Sequence, residues 1–339
     1  MSKWHAFAPR ILGRSGLEVS SLGFGAAPLG DLFARLDESE AIATLIRALD
    51  GGVSLLDTSP LYGHGLSEHR IGAALRQRPD AKVILSTKVG RIMHPLRPRE
   101  GGSGYVGGMP HAAQYDYSYD GAMRSLEQSL LRLGRDHVDI LLIHDLDVWT
   151  HGEALETHYR EAMHGALRAL LDLRSQGVIR AIGIGVNEAD MAERFSREAD
   201  IDAVLLAGRY SLLEQPALAS FLPLAEKRNI GVMLGGVFNS GILATGAVPG
   251  ARYNYGPAPE PVMEKVRAIE ILCARHGVPL ARAALHFALA HPAVSAIVMG
   301  AVKPAEIDQQ IEALAAAVPA ELYAELKREG LLDEAAPTP

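Results

Sequence analysis

Four ionisable residues lie where short apolar runs of the sequence end. Asp57, Lys88 and His144 each end one such run, and Tyr62 follows Asp57 in the next connection. A phenol, with an ordinary pKa of about 10, transfers protons well when a nearby cation favours the phenolate and an aspartate holds that cation in place. An imidazole can orient the reacting oxygen. These residue types therefore indicate acid–base catalysis, with Tyr62 as the group that gives or takes the proton.

Asp57, Lys88 and His144 each also have a structural interpretation. An aspartate after a strand is often a helix cap or a turn residue. A lysine at a strand end is often solvated, and a lone histidine is usually a structural residue. The occurrence of all four at equivalent positions is what favours a shared site.

The elements that must hold these residues alternate between strands and helices. Segments with helical periodicity, such as Glu38–Leu49, Tyr119–Leu133 and Ala189–Arg197, separate apolar runs that are bounded by Gly and Asp. This alternation is typical of a parallel sheet covered on both faces. The predicted strands are Val19–Gly25, Val53–Asp57, Lys82–Thr87, Val138–His144, Ile179–Gly185, Ala203–Ala207, Gly231–Leu234 and Ala296–Met299.

These strands predict an α/β fold of the eight-stranded parallel (β/α)8 or TIM-barrel type. The alternative is an open doubly wound sheet, which normally carries G-x-G-x-x-G after its first strand. Here the first strand runs into Ala26 and Ala27, and Pro28 stands where a helix would have to begin. In a parallel barrel the carboxyl ends of the strands open on one face, which holds the active site. The four ionisable residues are therefore expected to converge there.

Two Gly- and Pro-rich segments interrupt the alternation. Gly90–Tyr117, the long loop after the third strand, includes Gly101-Gly102-Ser103-Gly104, and it is either a mobile lid or a flexible insertion. Ala244–Pro261 joins the seventh strand to its helix. We expect residues 1–332 to form a single barrel domain and residues 333–339 to be a disordered tail.

Composition excludes several other classes of protein. The net charge is −7 and the 33 Lys and Arg residues are scattered, which argues against nucleic acid or an anionic membrane surface as a partner. Cys273 is the single cysteine, so no intrachain disulfide or thiolate metal cluster can form. No apolar run reaches the roughly 18 residues that span a bilayer, and the N-terminus lacks the apolar core of a signal peptide. A cytoplasmic protein is expected.

The sequence resembles the aldo-keto reductase family, whose catalytic tetrad consists of Asp, Tyr, Lys and His at these barrel positions. The resemblance runs from about Leu12 to Gln310. It implies hydride transfer between a carbinol and a nicotinamide cofactor, with Tyr62 as general acid or base and His144 positioning the substrate. The matching motifs are Asp57-Thr58-Ser59-Pro60-Leu61-Tyr62-Gly63, Gly65-Leu66-Ser67-Glu68, Ile71-Gly72, Ser86-Thr87-Lys88 and Leu142-Ile143-His144.

The resemblance also implies a set of cofactor-binding residues. After the fifth strand, Gly185 and Val186 stand at the family's Ser and Asn positions, so either Asn187 serves through a shift or the carboxamide is bound differently. Glu306 stands where relatives that prefer NADP carry Arg, which implies NAD, while Lys303 leaves NADP possible. The implied cofactor-binding residues are Asn187, Phe238, Asn239, Ser240, Gly241, Gly300, Lys303, Glu306 and Gln310.

Three further motifs, Leu205–Gln215, Phe238–Leu243 and His144–Asp147, are similar to one branch of the family. That branch contains D-threo-aldose 1-dehydrogenases (L-fucose dehydrogenases), and pyridoxal 4-dehydrogenase is similar. This implies oxidation of an anomeric or aldehyde-level carbon to a lactone. A general aldehyde or ketone reductase is the alternative. Loops on the same barrel face are expected to contact a sugar or aldehyde through Asp31, Phe33, Trp149 and Arg209.

Two competing classes stay open. One is a nicotinamide-binding barrel that acts as a sensor or regulatory subunit, against which the intact tetrad argues. The other is a metal-assisted lyase, for which Asp57 and His144 lack an obvious third ligand, so no metal is expected. We expect a monomer or a small homo-oligomer.

Overall fold

The computed structural model describes residues 8–95, 97 and 104–339. In this part of the chain eight parallel strands close into a barrel, each pairing with the next along the chain and the eighth with the first. The predicted TIM barrel is therefore confirmed, and the open-sheet alternative is wrong. The barrel strands, numbered here first to eighth, are Leu22–Gly25, Leu55–Asp57, Ile84–Val89, Ile140–His144, Ala181–Val186, Ala203–Ala207, Gly231–Gly235 and Val294–Met299.

The helices surround the barrel and begin and end where the local sequence dictates. In Tyr119–Leu133, Ser118 accepts a hydrogen bond from the Gly121 amide at the start, and Gly134 ends the helix with a φ of 62°. The other described helices are Glu38–Asp50, Leu66–Gln77, Val148–His151, Leu155–His164, Ala166–Ser175, Ala189–Glu198, Phe221–Arg228, Ile242–Thr245, Glu260–Arg275, Leu280–Ala290, Pro304–Ala315 and Ala320–Arg328. None of the helices in the described ranges is long and apolar enough to cross a membrane.

An N-terminal hairpin closes the end of the barrel at which the strands begin. Pro9–Ile11 pairs with Glu18–Ser20 in antiparallel fashion. Its residues Leu12, Leu17 and Val19 are fully buried in the same apolar cluster as the side chains of the barrel interior. The predicted strand Val19–Gly25 is therefore two elements, because the chain leaves the hairpin before it enters the first barrel strand.

The two Gly- and Pro-rich segments contain short antiparallel pairs. Arg91–His94 pairs with Ala112–Tyr115, so much of the described part of the long loop is a hairpin. Residues 96 and 98–103, which include Gly101-Gly102-Ser103, lie outside the described residues. In the second segment Arg252–Tyr253 pairs with Gly256–Pro257.

The C-terminal segment packs on the last helix instead of being disordered as the sequence predicts. Ala336 is buried in the main apolar cluster. The ammonium of Lys327 donates to the carbonyls of Glu334 and Ala336, at 2.9 and 2.8 Å. That residues 1–332 form a single domain stays a prediction.

The hairpin is expected to contribute strongly to stability. Leu17→Ala should lower the free energy of unfolding by about 2–5 kcal/mol, because truncation leaves a cavity at a fully buried site. Ile11→Ala truncates a side chain of the same hairpin that is 54% exposed and should change it by less than about 0.5 kcal/mol. Urea unfolding followed by circular dichroism measures both. Equal effects would mean that the hairpin does not pack into the barrel.

Candidate active site

A buried ion pair lies at the carboxyl ends of the second and third strands. The ammonium of Lys88 lies 2.7 Å from the Asp57 carboxylate and donates to the Thr58 carbonyl at 2.8 Å. The Ser86 hydroxyl donates to the other Asp57 oxygen at 2.8 Å. Burial raises the pKa of Asp57 above its ordinary value, although Lys88 and Ser86 act to lower it. The ammonium and the carboxylate are thus fixed in direct contact.

Strand register places these side chains together. Asp57 lies opposite Ser86 in the ladder, and Lys88 follows Ser86 on the same face because successive side chains of a strand alternate. His144 lies opposite Gly185 on the fifth strand. A Cβ atom at Gly185 would lie 3.3 Å from Lys88 Cε, which is a tight contact, so this glycine leaves room for the lysine.

Tyr62 lies in a left-handed turn directly before a helix. Gly63, His64 and Gly65 follow it with φ angles of 62°, 53° and 101°. A Cβ atom at Gly63 would lie 2.5 Å from the Gly30 carbonyl oxygen, so only glycine permits this close approach of backbone. The turn therefore fixes the position of the phenol relative to the strands.

The phenol of Tyr62 contacts both the ion pair and the histidine. The Lys88 ammonium lies 4.6 Å from the centre of the Tyr62 ring, and the His144 ring meets it edge-on with centroids 5.8 Å apart. Burial, with Asp57 as a further cause, raises the pKa of Tyr62 well above its ordinary value. Burial and the Asp57 charge therefore outweigh the lowering of this pKa that the Lys88 cation was expected to cause.

His144 is held by partners that the sequence analysis missed. Its Nδ1 lies 3.0 Å from the Ser59 hydroxyl and 3.1 Å from the Arg91 guanidinium, which in turn pairs with Asp145 at 2.8 Å. Burial, then the cations of Arg91 and Lys88, lower the pKa of His144 well below its ordinary value. Arg91 and Asp145 follow Lys88 and His144 closely in the chain, and that proximity was the available signal.

A cleft of about 520 Å³ opens above the carboxyl ends of the strands. This volume lies in the range typical of sites for small molecules and cofactors. Of the residues named from the sequence, Lys88, His144, Asp31, Lys303 and Gln310 are not among those that line it. The residues named from the sequence that do line it are Asp57, Tyr62, Phe33, Trp149, Asn187, Arg209, Phe238, Asn239, Ser240, Gly241, Gly300 and Glu306.

One wall of the cleft is a left-handed turn after the seventh strand. Asn239, Ser240 and Gly241 have φ angles of 45°, 61° and 104°. The Asn239 side chain is buried and engaged, since it accepts from the Ser211 hydroxyl and donates to Glu214. At this turn, therefore, backbone atoms rather than the Asn239 amide face the cleft.

The eighth-strand loop forms the far end of the cleft. Glu306, in the first turn of its helix, accepts a hydrogen bond from the Val302 amide at 2.8 Å. Gln310 donates to the Gly300 carbonyl at 3.0 Å, so it supports the loop from behind. Lys303 is exposed. A glycine-rich wall ending at a carboxylate and a helix N-terminus fits a nicotinamide dinucleotide.

The predicted substrate contacts divide into two groups. Phe33, Trp149 and Arg209 line the cleft, and Arg209 also donates to the Asn187 carbonyl at 2.6 Å. Asp31 is instead buried in an ion pair with Arg70 at 2.8 Å. The carboxylate of Asp31 is therefore engaged within the fold, and its role as a substrate contact stays a prediction.

Comparison with known proteins gives a consistent result. The Aldo/keto reductase family model matches residues 21–329. A pyridoxal 4-dehydrogenase from Microbacterium luteolum is 40% identical over 95% of this chain and 97% of its own, and a D-threo-aldose 1-dehydrogenase from a Pseudomonas species is 38% identical over 96% and 97%. The holo form of an aldo-keto reductase from Bacillus halodurans superposes with a TM-score of 0.74 at 25% identity, covering 95% of this chain and 96% of that one.

The protein therefore belongs to the aldo/keto reductase family. It is an NAD(P)-dependent oxidoreductase.

The buried ion pair makes a prediction about stability. Lys88→Met should lower the free energy of unfolding by about 3–5 kcal/mol at pH 8, because it leaves Asp57 charged and buried without its counter-charge. Burial already raises the pKa of Asp57, and loss of the cation raises it further. As the pH falls, the folded variant therefore takes up a proton at a higher pH than the unfolded chain does. Its deficit in unfolding free energy, relative to the unmodified protein, should shrink as the pH falls toward 5.

Urea titrations at both pH values measure this deficit. The double variant Asp57→Asn/Lys88→Met removes both charges and should recover part of it, while Lys227→Met on an exposed helix end should have no effect. A deficit that does not depend on pH would contradict the assignment of the unpaired charge to Asp57.

Proposed function

We propose that the protein oxidises the anomeric carbon of an aldose such as L-fucose or another D-threo-aldose to a lactone. The observation that carries the proposal is the contact of Tyr62 with the Lys88–Asp57 pair on one side and His144 on the other, at the wall of the cleft. A group that exchanges a proton, a cation beside it and a second group that orients an oxygen are what oxidation of a hydroxyl-bearing carbon requires. The similarity to an aldose dehydrogenase supports the substrate class.

The roles of the residues follow from their environments. Bound NAD, when oxidised, supplies the acceptor for the hydride that leaves the anomeric carbon. Tyr62 acts from its phenolate form, which the Lys88 ammonium stabilises, and it becomes a neutral phenol when it takes the proton of the anomeric hydroxyl. His144, which is kept neutral, hydrogen-bonds the reacting oxygen. Because the pKa of Tyr62 is raised, oxidation should accelerate toward alkaline pH, while the protonated phenol suits the reverse reaction.

A second candidate is the oxidation of pyridoxal, which the rim of the cleft favours. Phe33, Trp149 and Tyr255 stand around the opening and are 52%, 61% and 54% exposed. Large exposed aromatic side chains at a cleft provide a surface on which a planar ring can stack. The similarity to a pyridoxal dehydrogenase agrees with this alternative.

The test is a spectrophotometric panel with NAD and NADP. L-Fucose and pyridoxal are compared with D-glucose as a mismatched aldose, and kcat/KM for oxidation is followed from pH 6 to pH 10. Tyr62→Phe should lower kcat on the order of 10²–10⁴-fold and remove the rise at alkaline pH, because it deletes only the hydroxyl that exchanges the proton.

Cofactor binding by Tyr62→Phe, measured as quenching of protein fluorescence, serves as the control and should stay near normal. Oxidation of pyridoxal alone would move the assignment to the second candidate. A Tyr62→Phe enzyme of normal rate would overturn the role of Tyr62.

We further propose that NAD is preferred to NADP, on the evidence of Glu306. Its carboxylate lines the cleft beside a helix N-terminus, where it would repel a 2′-phosphate and can accept a hydrogen bond from a ribose hydroxyl. Lys303 is an exposed cation, and such groups contribute less than about 1 kcal/mol. The neighbouring positive charge therefore does not reverse the preference.

Glu306→Arg should shift the ratio of kcat/KM toward NADP, because a guanidinium suits phosphate geometry. Glu306→Gln is the matched control, since it keeps an acceptor for the Val302 amide and removes only the charge. It should weaken the preference without reversing it. A tenfold preference of the unmodified enzyme for NADP would show that Glu306 does not face the ribose.

A further inference from the structure

Three side chains form a closed ring of contacts beside Tyr62. The Arg91 guanidinium reaches His144 Nδ1 at 3.1 Å with one nitrogen and Asp145 at 2.8 Å with the other. The second oxygen of Asp145 lies 3.3 Å from His144 Nε2. Both nitrogens of the imidazole therefore face a charged partner, a cation at Nδ1 and a carboxylate at Nε2.

The backbone holds this ring of side chains in place. The carbonyl of Arg91 accepts from the Ser125 hydroxyl at 2.9 Å, and the guanidinium lies over the Tyr115 ring, 4.7 Å from its centre. Asp145 has a φ of 50°, and its amide donates to the Gly185 carbonyl at 2.8 Å. A non-glycine residue in the left-handed region is uncommon, and such residues cluster at functional sites.

The chemistry of the partners determines which imidazole nitrogen carries a proton. A guanidinium has no acceptor, so the contact with Arg91 requires Nδ1 to be unprotonated. The Ser59 hydroxyl accepts from the Leu61 amide and can donate its own proton to Nδ1. The proton of the neutral ring must then lie on Nε2, at the opposite edge from Arg91.

We infer that Arg91 and Asp145 are positioning residues that keep His144 in the neutral Nε2–H form. The 3.3 Å approach of Asp145 to Nε2 is not an aligned hydrogen bond, since the imidazole's hydrogen bonds are at Nδ1. The Nε2–H is therefore left to donate to the reacting oxygen, and proton exchange is left to Tyr62. The role of that donor rests on the proposed function, whereas the state of the ring does not. Asp145 alone would favour an imidazolium, and Arg91 offsets it.

The other charged and titratable groups around His144 are few in the described part of the chain. Lys88 on the third strand adds a second cation and Tyr62 presents its ring edge-on. The Tyr117 hydroxyl donates to the His144 carbonyl at 2.8 Å rather than to the ring. Removal of Arg91 takes away one of the two cations that lower the pKa of His144 and leaves Asp145 beside Nε2, so the ring should gain a proton at a higher pH than in the unmodified protein.

The first arm of the test measures the protonation state of the His144 ring directly, without substrate. Histidine labelled with ¹⁵N is followed by NMR from pH 5 to pH 9, and the His144 signal is assigned by its absence in His144→Gln. We expect the neutral Nε2–H pattern throughout in the unmodified protein, and titration within this range in Arg91→Met. An Nδ1–H pattern, or an imidazolium at pH 6 in the unmodified protein, would overturn the inference.

The second arm measures kcat/KM against pH. Arg91→Met should lose about 10- to 100-fold at pH 6, as expected when a group that orients a functional histidine is removed, and recover in part as the pH rises. Arg91→Lys keeps a cation and should therefore remove the extra loss of kcat/KM at acidic pH. Its kcat/KM should still stay below that of the unmodified enzyme, because an ammonium cannot bridge Nδ1 and Asp145 together. A pH profile of Arg91→Met parallel to that of the unmodified enzyme would mean a merely structural role.

Arg174→Met is the matched control for loss of an ion pair. Arg174 pairs with Asp202 at 2.7 Å, next to the start of the fifth barrel strand and therefore at the opposite end of the barrel. Its loss should lower stability without altering the NMR pattern or the pH profile. If no proposed substrate is turned over, the NMR arm still decides the state of His144, so failure of the proposed function and failure of this inference are distinguishable.

Discussion

An ammonium and a carboxylate are withdrawn from water at the carboxyl ends of the second and third strands, and the catalytic face is arranged around them. Lys88 and Asp57 are each nearly fully buried and lie 2.7 Å apart. Removing two charges from water costs several kcal/mol per ion, which their attraction offsets only with good geometry and further hydrogen bonds. The Ser86 hydroxyl and the Thr58 carbonyl provide those bonds. The barrel register that brings these groups together is therefore a condition of stability as well as of chemistry.

The cost of burying charge also explains why each cation of the site is paired with a carboxylate. A lysine alone would lower the pKa of a neighbouring phenol, but this lysine is neutralised by the aspartate that holds it. A second balanced pair, Arg91 with Asp145, lies on the other side of the histidine. Two cations and two carboxylates thus surround a tyrosine and an imidazole that stay uncharged near neutral pH. In the proposed reaction, such a balanced site would let charge develop on the reacting oxygen without a second net charge beside it.

The sequence predicted the parts of the site that depend on strand ends. Asp57, Lys88 and His144 end apolar runs, and the geometry of a parallel barrel brings such ends together whatever the loops do. Arg91 and Asp145 were missed because one lies on a hairpin inside a segment read as a loop, and the other reaches the site only through a positive φ. Neither the hairpin that carries Arg91 nor the positive φ of Asp145 produces a periodic pattern in the sequence.

Two further contacts could not be predicted from the sequence. Asp31 was read as a substrate contact, and nothing in the sequence showed that Arg70, on a helix remote in the chain, pairs with it. The tail was read as disordered because its composition is typical of loose ends, yet Ala336 is buried and Lys327 binds the carbonyls around it. The Asp31–Arg70 pair joins residues 39 apart, and the order of the tail depends on the burial of Ala336 in the main apolar cluster; a local sequence pattern displays neither.

The hairpin that closes one end of the barrel has a consequence for how molecules reach the site. Leu12, Leu17 and Val19 fill the barrel interior beneath the site, so in the described residues the cleft is reached from one side alone. Two reactants and two products must then pass through a common mouth. Two leucines and a valine that do not line the cleft thus confine the exchange of molecules to the face at the carboxyl ends of the strands.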